Sequence, residues 1–531
     1  MVQVDEAQAS RGVYFSKKDY RDSALPDWIT VSRKLPEPLI FEDVPLRDAY
    51  WKAWELAFTH FRRPPLGSPF VSNYLDPLAE GRLLLPNVVA ATLFLKLAHP
   101  YVPGVRALDD FYCRQHEDGE ICRDLEPESG RDYDAWVNHE RQPLFARQDQ
   151  RTPDLGREAP VPDLTIEGLA HPILAWAELE SYRQTGDADR VVSVWEPLLR
   201  HHRAVERQMR DSRGLYVGDT SAMDNSPRNA QLGAGIDLSC QMAMSARQLA
   251  DLARVVARQA DDYGNTSQAL TVRAEAGRLL TEADALAATI RAHMWDEGTG
   301  FFYDLQPDGR RSPVRTAAAF WSLLGGVATQ EQAERLAATL RDPRAFGTEH
   351  PLPSLAADDR RFDPDGGYYR GAVWPLQVAM AARGLAQYGL REAARDVAMG
   401  HVRAVAAACD ETGTIWENYA PVGRRPGKPA RPDYVGPAGL GPIGLLIEYG
   451  IGLRPHAPLR QLEWDIQGLE YKGVERYWFA GCTVDLLAAG RNAPEDPVEI
   501  QVNTDRPFHL LVRTAGRSKR FTVSGRMTVE A

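Results

Sequence analysis

Cysteine is scarce and unpatterned in this chain. Cys113, Cys122, Cys240, Cys409 and Cys482 are odd in number, scattered, and form no Cys-x-x-Cys pair. That argues against a disulfide framework or a zinc site, and for small buried hydrophobes in a reducing compartment. The twelve histidines show no His-x-x-x-His or Glu-x-x-His spacing, so no metal site is expected. The opening Met-Val-Gln-Val-Asp-Glu has no basic region followed by an apolar run, so no signal peptide is expected. Long apolar runs are missing as well. The most apolar stretch, Leu83 to Ala98, is short and carries Pro86, Asn87 and Lys96, too broken to span a bilayer. Positive charge is not in excess either. At a formal net charge of −11, nucleic acid and anionic membrane would repel the chain. A cytoplasmic protein is expected, with the oligomeric state left open, a homo-oligomer included.

What is present is length, hydrophobic content and aromatic rings. The 531 residues suffice for a large core or for two to four domains. The 12 Trp and 19 Tyr need burial or a ligand, and sugar-binding clefts use such rings as platforms. Residues 1–45 are Pro-punctuated and read as a lead-in with one or two strands. From Leu46 a helical period starts, with Leu46, Tyr50, Trp54 and Phe58 on one face. Further helices are predicted at 87–98, 104–115, 166–185, 187–210, 236–260, 265–294, 314–327, 330–341, 371–388, 391–409 and 441–451. Residues 117–164 and 343–369 read as loop excursions, the first so long that it is expected to line one end of the fold.

No repeat of fixed period stands out, which disfavours a solenoid. About twelve helices in neighbouring pairs, with long loops after alternate ones, suit a mainly α protein built as an (α/α)6 barrel over residues 46–455. A helical array with one extended core is the alternative. After 455 the pattern turns to alternation: 462–466, 484–487, 498–502, 508–512 and 521–523 predict a small C-terminal antiparallel β module over 456–531.

Three loops carry chemistry. Asp224 lies in Asp219-Thr-Ser-Ala-Met-Asp-Asn-Ser-Pro-Arg-Asn229, a polar break between helices that fits either a solvated turn or a catalytic acid, with Asn225 beside it. Glu417 sits between Trp416 and Tyr419. That setting desolvates a carboxylate and suits proton transfer near neutrality, or else holds a Glu bonded to its own loop. Gly366-Gly-Tyr-Tyr-Arg-Gly-Ala-Val-Trp-Pro375 offers the rings of Tyr368, Tyr369 and Trp374 and the forked donor of Arg370, as a substrate-facing wall or as packing at a helix start. If the ring of helices closes, Asp224 and Glu417 share one funnel, as glycoside hydrolysis requires.

Met223-Asp-Asn-Ser-Pro, Tyr369-Arg-Gly-Ala-Val-Trp and Trp416-Glu-Asn-Tyr, in that order, resemble glycoside hydrolase family 63 and its mannosylglycerate-hydrolase-like relatives. His171-Pro-Ile-Leu-Ala-Trp, Asp237-Leu-Ser and Leu440-Gly-Pro-Ile-Gly-Leu also look familial, and the resemblance covers roughly residues 100–455. It implies an (α/α)6 barrel and an inverting glycosidase acting on a small carbohydrate or glycoside. It makes Asp224 the general acid and Glu417 the general base, and implies no metal or organic cofactor. Asn87, Asn225, Tyr369, Arg370, Trp374, Trp416, Tyr419 and His116 are the expected substrate contacts. Two departures stand out: Pro86-Asn87 replaces the Trp-Asp pair usual in an early loop, and Gly436-Pro437 stands where Gly-Trp is common. A sugar epimerase or lyase on the same barrel, or a non-catalytic carbohydrate-binding relative, are the other readings.

Overall fold

The computed structural model describes residues 24–41, 43–141 and 161–531. Most of the expected lead-in (1–23) and part of the long excursion (142–160) lie outside the described residues.

The helical period starting at Leu46 forms the helix Val44–Thr59. Asp43 caps it by accepting from the Leu46 N–H at 3.3 Å, and Leu46, Tyr50 and Trp54 are buried. Where the observed helices are shorter than the periodicity suggests, proline and glycine set the ends. Pro375 opens Pro375–Gln387 at a position where a missing N–H costs nothing. The predicted 166–185 begins only at Leu174, after His171-Pro172. The predicted 104–115 divides into a 3-10 turn, Gly104–Leu108, and the short helix Asp109–Tyr112. The predicted 314–327 shrinks to Ala317–Phe320 and Trp321–Leu324, stopped by Gly325-Gly326.

The helices form two sets. In Leu85–Leu95, nine of eleven residues are buried. In Thr266–Met294 only nine of 29 are, spaced along one face. The first kind is covered all round and the second faces solvent. Contacts among the buried set run in a cycle. Leu85–Leu95 packs on Leu174–Thr185, which packs on Ile236–Asp262, then Trp321–Leu324, then Pro375–Gln387. From there the contact passes to the turn Pro437–Leu440 and the π-wound helix Gly441–Ile451, both of which touch Leu85–Leu95 again. Val44–Thr59, Ala188–Met209, Thr266–Met294 and Arg391–Thr412 lie against this set from outside.

A seven-stranded sheet follows the helices. Its order is Glu37–Ile40, Lys472–Phe479, Cys482–Ala488, Glu499–Thr514, Gln461–Asp465 and Leu453–His456, with Arg517–Glu530 also beside Glu499–Thr514. Alternation in Glu499–Thr514 points Ile500, Val502, Phe508, Leu510 and Val512 into the core. Two features differ from the expected C-terminal antiparallel module. Gln461–Asp465 runs parallel to Glu499–Thr514, with Gln461 opposite His509. The chain between these strands is long and holds two further strands, so no tight turn forces them antiparallel. The N-terminal strand Glu37–Ile40 also closes one edge, pairing Glu37 with Glu475. The sheet is fastened to the helices at Gln184, whose carbonyl accepts from the Ala480 N–H at 3.0 Å. Trp464 adds a bond from its ring N–H to the Ile451 carbonyl at 2.9 Å. Among the described residues, no helix is long and apolar enough to cross a membrane.

Candidate active site

The starts of the buried helices, and the loops leading into them, line one cavity of about 290 Å³. Asn87 enters it from the first turn of Leu85–Leu95, His171 from just before Leu174–Thr185, and Asp237 from the first turn of Ile236–Asp262. Trp374 and Gln377 come from the start of Pro375–Gln387, and Asp224, Tyr368, Tyr369, Glu417 and Tyr434 from the connecting loops.

Asp224 follows the 3-10 turn Ser221–Met223 and is exposed to the cavity. Asn229 fixes the loop: its amide donates to the carbonyls of Thr220, Met223 and Asp224 at 2.8–2.9 Å. Glu417 is only 8% exposed. Its N–H donates to the Arg431 carbonyl at 3.0 Å, and its Oε1 lies 3.5 Å from the Tyr368 hydroxyl. Burial pushes the Glu417 carboxyl above its ordinary value, and the Arg431 charge opposes that rise.

Tyr368 lies against Glu417 in the wall the two acids share. Burial raises its phenol, and the charges of Glu417 and Asp224 both raise it further, so it keeps its proton and can donate. Its backbone is left-handed, φ +59°, uncommon for a bulky residue and characteristic of functional loops. The preceding Gly367, φ +50°, makes the turn; a Cβ there would meet the Asp363 carboxylate at 2.6 Å. Next to Tyr368, the Tyr369 ring stacks on Trp374 with centroids 4.5 Å apart and planes 10° from parallel. On the other wall, the Asn87 amide donates to the Tyr434 hydroxyl at 3.1 Å.

Below these, His171 bonds Asp219 at 3.0 Å and Gln241 at 2.7 Å. Burial works against a charge on His171, but the bond to Asp219 and its charge outweigh it and raise the imidazole. Asp219 also faces Arg123 at 3.4 Å. Asp237 and Asp304 are held by the buried guanidinium of Arg228 at 2.6–2.9 Å.

Of the residues expected from sequence, the cavity gathers Asp224, Glu417, Asn87, Tyr369 and Trp374. Five others are not among its lining residues. Asn225 instead ties two loops together, donating to the Gly367 carbonyl and accepting from the Tyr369 N–H. Arg370 turns outward to Asp363, 3.8 Å away. The Trp416 ring N–H donates to the Thr412 hydroxyl at 2.9 Å. Tyr419 is drawn inward by a bridge to Val373, and its ring is buried against His350 and His401. His116 is clamped between Asp132 at 2.8 Å and Asp163 at 3.0 Å. His116, Asp118 and Glu120 do bring ligand atoms within 4.8 Å of one another, yet both nitrogens of the His116 ring already face those carboxylates. All five cysteines are free and buried.

Tyr368, read from the sequence as a ring face of the same wall, also lines the cavity, whereas sequence reasoning missed Tyr434, Arg431 and the His171–Asp219 pair as cavity residues. His171 opened a motif already singled out. Arg431 and Tyr434 lie in a Gly- and Pro-rich loop where no pattern in the sequence points to them.

The model of the mannosylglycerate hydrolase MGH1-like glycoside hydrolase domain matches residues 135–428, more than half the chain and inclusive of Asp224 and Glu417. An uncharacterized protein of Borreliella burgdorferi is 26% identical over 371 residues, 67% of this chain and 74% of that one. Mannosylglycerate hydrolase MGH1 of Selaginella moellendorffii is 34% identical over 120 residues, but the alignment spans only 22% of either chain. Among solved structures, the GH63 mannosylglycerate hydrolase of Thermus thermophilus in complex with glucose superposes with a TM-score of 0.53 at 20% identity. The match covers 75% of this chain and 99% of that one, a likeness of fold. The chain belongs to the mannosylglycerate hydrolase MGH1-like family and is a glycoside hydrolase related to family 63.

Proposed function

We propose that this chain hydrolyses a small α-linked glycoside with inversion, using Asp224 as general acid and Glu417 as general base on an (α/α)6 barrel. The observation that carries the reading is that both carboxylates line one cavity, Glu417 with its Oε1 3.5 Å from the Tyr368 hydroxyl in the same wall. Asp224 gives its proton to the glycosidic oxygen as the bond to the anomeric carbon breaks. Glu417 takes a proton from the water whose oxygen attacks that carbon from the other face. The stacked Tyr369–Trp374 pair offers a ring face for the sugar, and Asn87 with Tyr434 offers a polar edge.

The cycle of contacts among the buried helices supports the barrel, which we assign to residues 46–455, with 1–45 as lead-in and 456–531 as the β module. Five free, buried cysteines suit a reducing, cytoplasmic setting. The relatives named for mannosylglycerate motivate glycosides with a small acidic leaving group as first substrates.

An epimerase or lyase would want His or Tyr pairs in the funnel, and a hydrolase two carboxylates facing it. Of His116, His139, His171 and His350, only His171 lines the cavity, and both its nitrogens are engaged. The test is turnover of glucosyl- and mannosylglycerates and related α- and β-glycosides, with the product anomer read by NMR. Asp224→Asn and Glu417→Gln are expected to abolish turnover of unactivated substrates while folding normally. Retained turnover in both variants, or a first product of retained configuration, defeats the reading.

A further inference from the structure

We propose that Arg431, held across the cavity mouth by Glu80, is a positioning residue for Glu417. Its guanidinium keeps the enclosed carboxylate in the ionised form that accepts a proton from water. The inference rests on reading Glu417 as the base.

Arg431 and Glu80 belong to loops far apart in sequence, yet the guanidinium meets the carboxylate at 2.6 Å, and both residues line the cavity beside Glu417. The pair is half exposed, the side chains 50% and 40% accessible, and an exposed pair of that kind adds little to stability. Its position therefore calls for another explanation. The Arg431 carbonyl accepts the Glu417 N–H at 3.0 Å, which anchors the arginine next to the acid. Glu417 is otherwise enclosed beside the phenols of Tyr368 and Tyr434, an environment that favours the neutral carboxyl, which cannot act as a base.

Arg431 is the cation with the largest effect on Glu417 and Glu80 an anion that acts against it, while Arg82, also in the cavity wall, lies 3.9 Å from Glu80 and 3.6 Å from Asp124. Tyr368, Tyr369 and Tyr434 hold their protons, and the Asp224 charge acts on the same Tyr368. Glu80 thus has two effects of one sign: it draws the Arg431 charge to itself and adds a negative charge of its own.

This arrangement predicts opposite shifts from two neutralising variants. Arg431→Gln keeps the backbone carbonyl that holds Glu417 but removes the charge. The acid limb of kcat/KM is expected to move to higher pH by about one unit. Activity on the acid side of that limb falls up to about tenfold, and less above it, and recovers on alkaline titration; Arg431→Lys restores most of it. Glu80→Gln is expected to move the same limb to lower pH. A merely structural pair would lower activity in both variants without opposed shifts. The Glu417 carboxyl is also titrated directly, by infrared difference between the wild type and Glu417→Gln and between Arg431→Gln and its double variant. If that titration does not move in Arg431→Gln, the proposal is overturned. If it moves while Glu417→Gln still turns over unactivated substrate, the base reading fails instead, and the two failures are distinct.

Discussion

The side-chain amide of Asn225 bridges to Tyr369, accepting from its N–H at 2.8 Å while donating to the Gly367 carbonyl at 2.9 Å. The residue after one catalytic candidate therefore fixes the backbone of the loop carrying Tyr368, which faces the other. Both bonds are to backbone, so their loss moves the loop rather than one side chain. Asn225→Ala is expected to lower kcat/KM by about 10²-fold, as small misplacements in an active site do. The change in thermal midpoint is expected to be on the order of 1 °C, since Asn225 is exposed. Asn225→Asp keeps the acceptor but loses the donor and is expected to fall between. Steady-state kinetics beside thermal melts separate these outcomes.

Burial of Glu417 has a signature in stability as well as in catalysis. Its carboxyl titrates above the ordinary 4.5 in the folded protein, so between those two values the folded state binds more protons than the unfolded one. Stability is then fullest below the unfolded value and declines as pH rises through the folded one. Glu417→Gln is neutral at every pH and escapes that decline. The variant is expected to melt higher than wild type at neutral pH, on the order of 1 °C for a chain of this size. The advantage disappears below about pH 4, where both side chains are uncharged. Paired melts across pH check both the sign and the crossover.

The helices were legible because burial on one face leaves a period, as Leu46, Tyr50 and Trp54 do on Val44–Thr59. The two acids were legible because each sits in a loop between such periods. What sequence adjacency could not give was direction. Trp416, Tyr419, Asn225 and Arg370 all neighbour cavity residues, yet each points elsewhere, because a loop residue's orientation is set by the partner it finds, Thr412 and Asp363 nearby or Val373 and Gly367 far along the chain. His116 is an expected substrate contact, but the two carboxylates that clamp it, Asp132 and Asp163, come from separate stretches of a poorly periodic excursion. The parallel pairing of Gln461–Asp465 was hidden for the same reason: alternation reports which face is buried, not which strand is the neighbour.

Arg228 holds the loop of Asp224 to the helix that follows it. It is 1% exposed and carries the facing charge for Asp237 and Asp304, while the Asp304 carboxylate also accepts the Ile236 N–H at 2.9 Å. Removing the guanidinium leaves two buried carboxylates without a counter-charge, a change that costs about 3–5 kcal/mol. Arg228→Met is expected to lower the thermal midpoint by several degrees, or to yield little folded protein. Asp304→Asn, which leaves Arg228 bonded to Asp237, is expected to be milder. Denaturant unfolding of both variants tests the ranking.

Asn87 occupies the position where a carboxylate would make the stronger acceptor for a sugar hydroxyl. At present its amide donates to Tyr434, whose phenol feels the Glu417 charge. Asn87→Asp would reverse that bond, with the phenol donating to the new carboxylate, and would add negative charge to a cavity already lined by Asp219, Asp224, Asp237 and Glu417. Two opposed effects follow. Ground-state binding of a sugar tightens, so KM is expected to fall a few-fold. The like charge raises Glu417 further, so the acid limb of kcat/KM is expected to move up by about half a unit, and kcat below neutrality to drop. A fall in KM with a raised limb would assign Asn87 to the sugar-binding wall and explain why an uncharged residue is compatible with a buried base beside it. Unchanged KM and an unmoved limb would mean that Asn87 serves only to hold Tyr434.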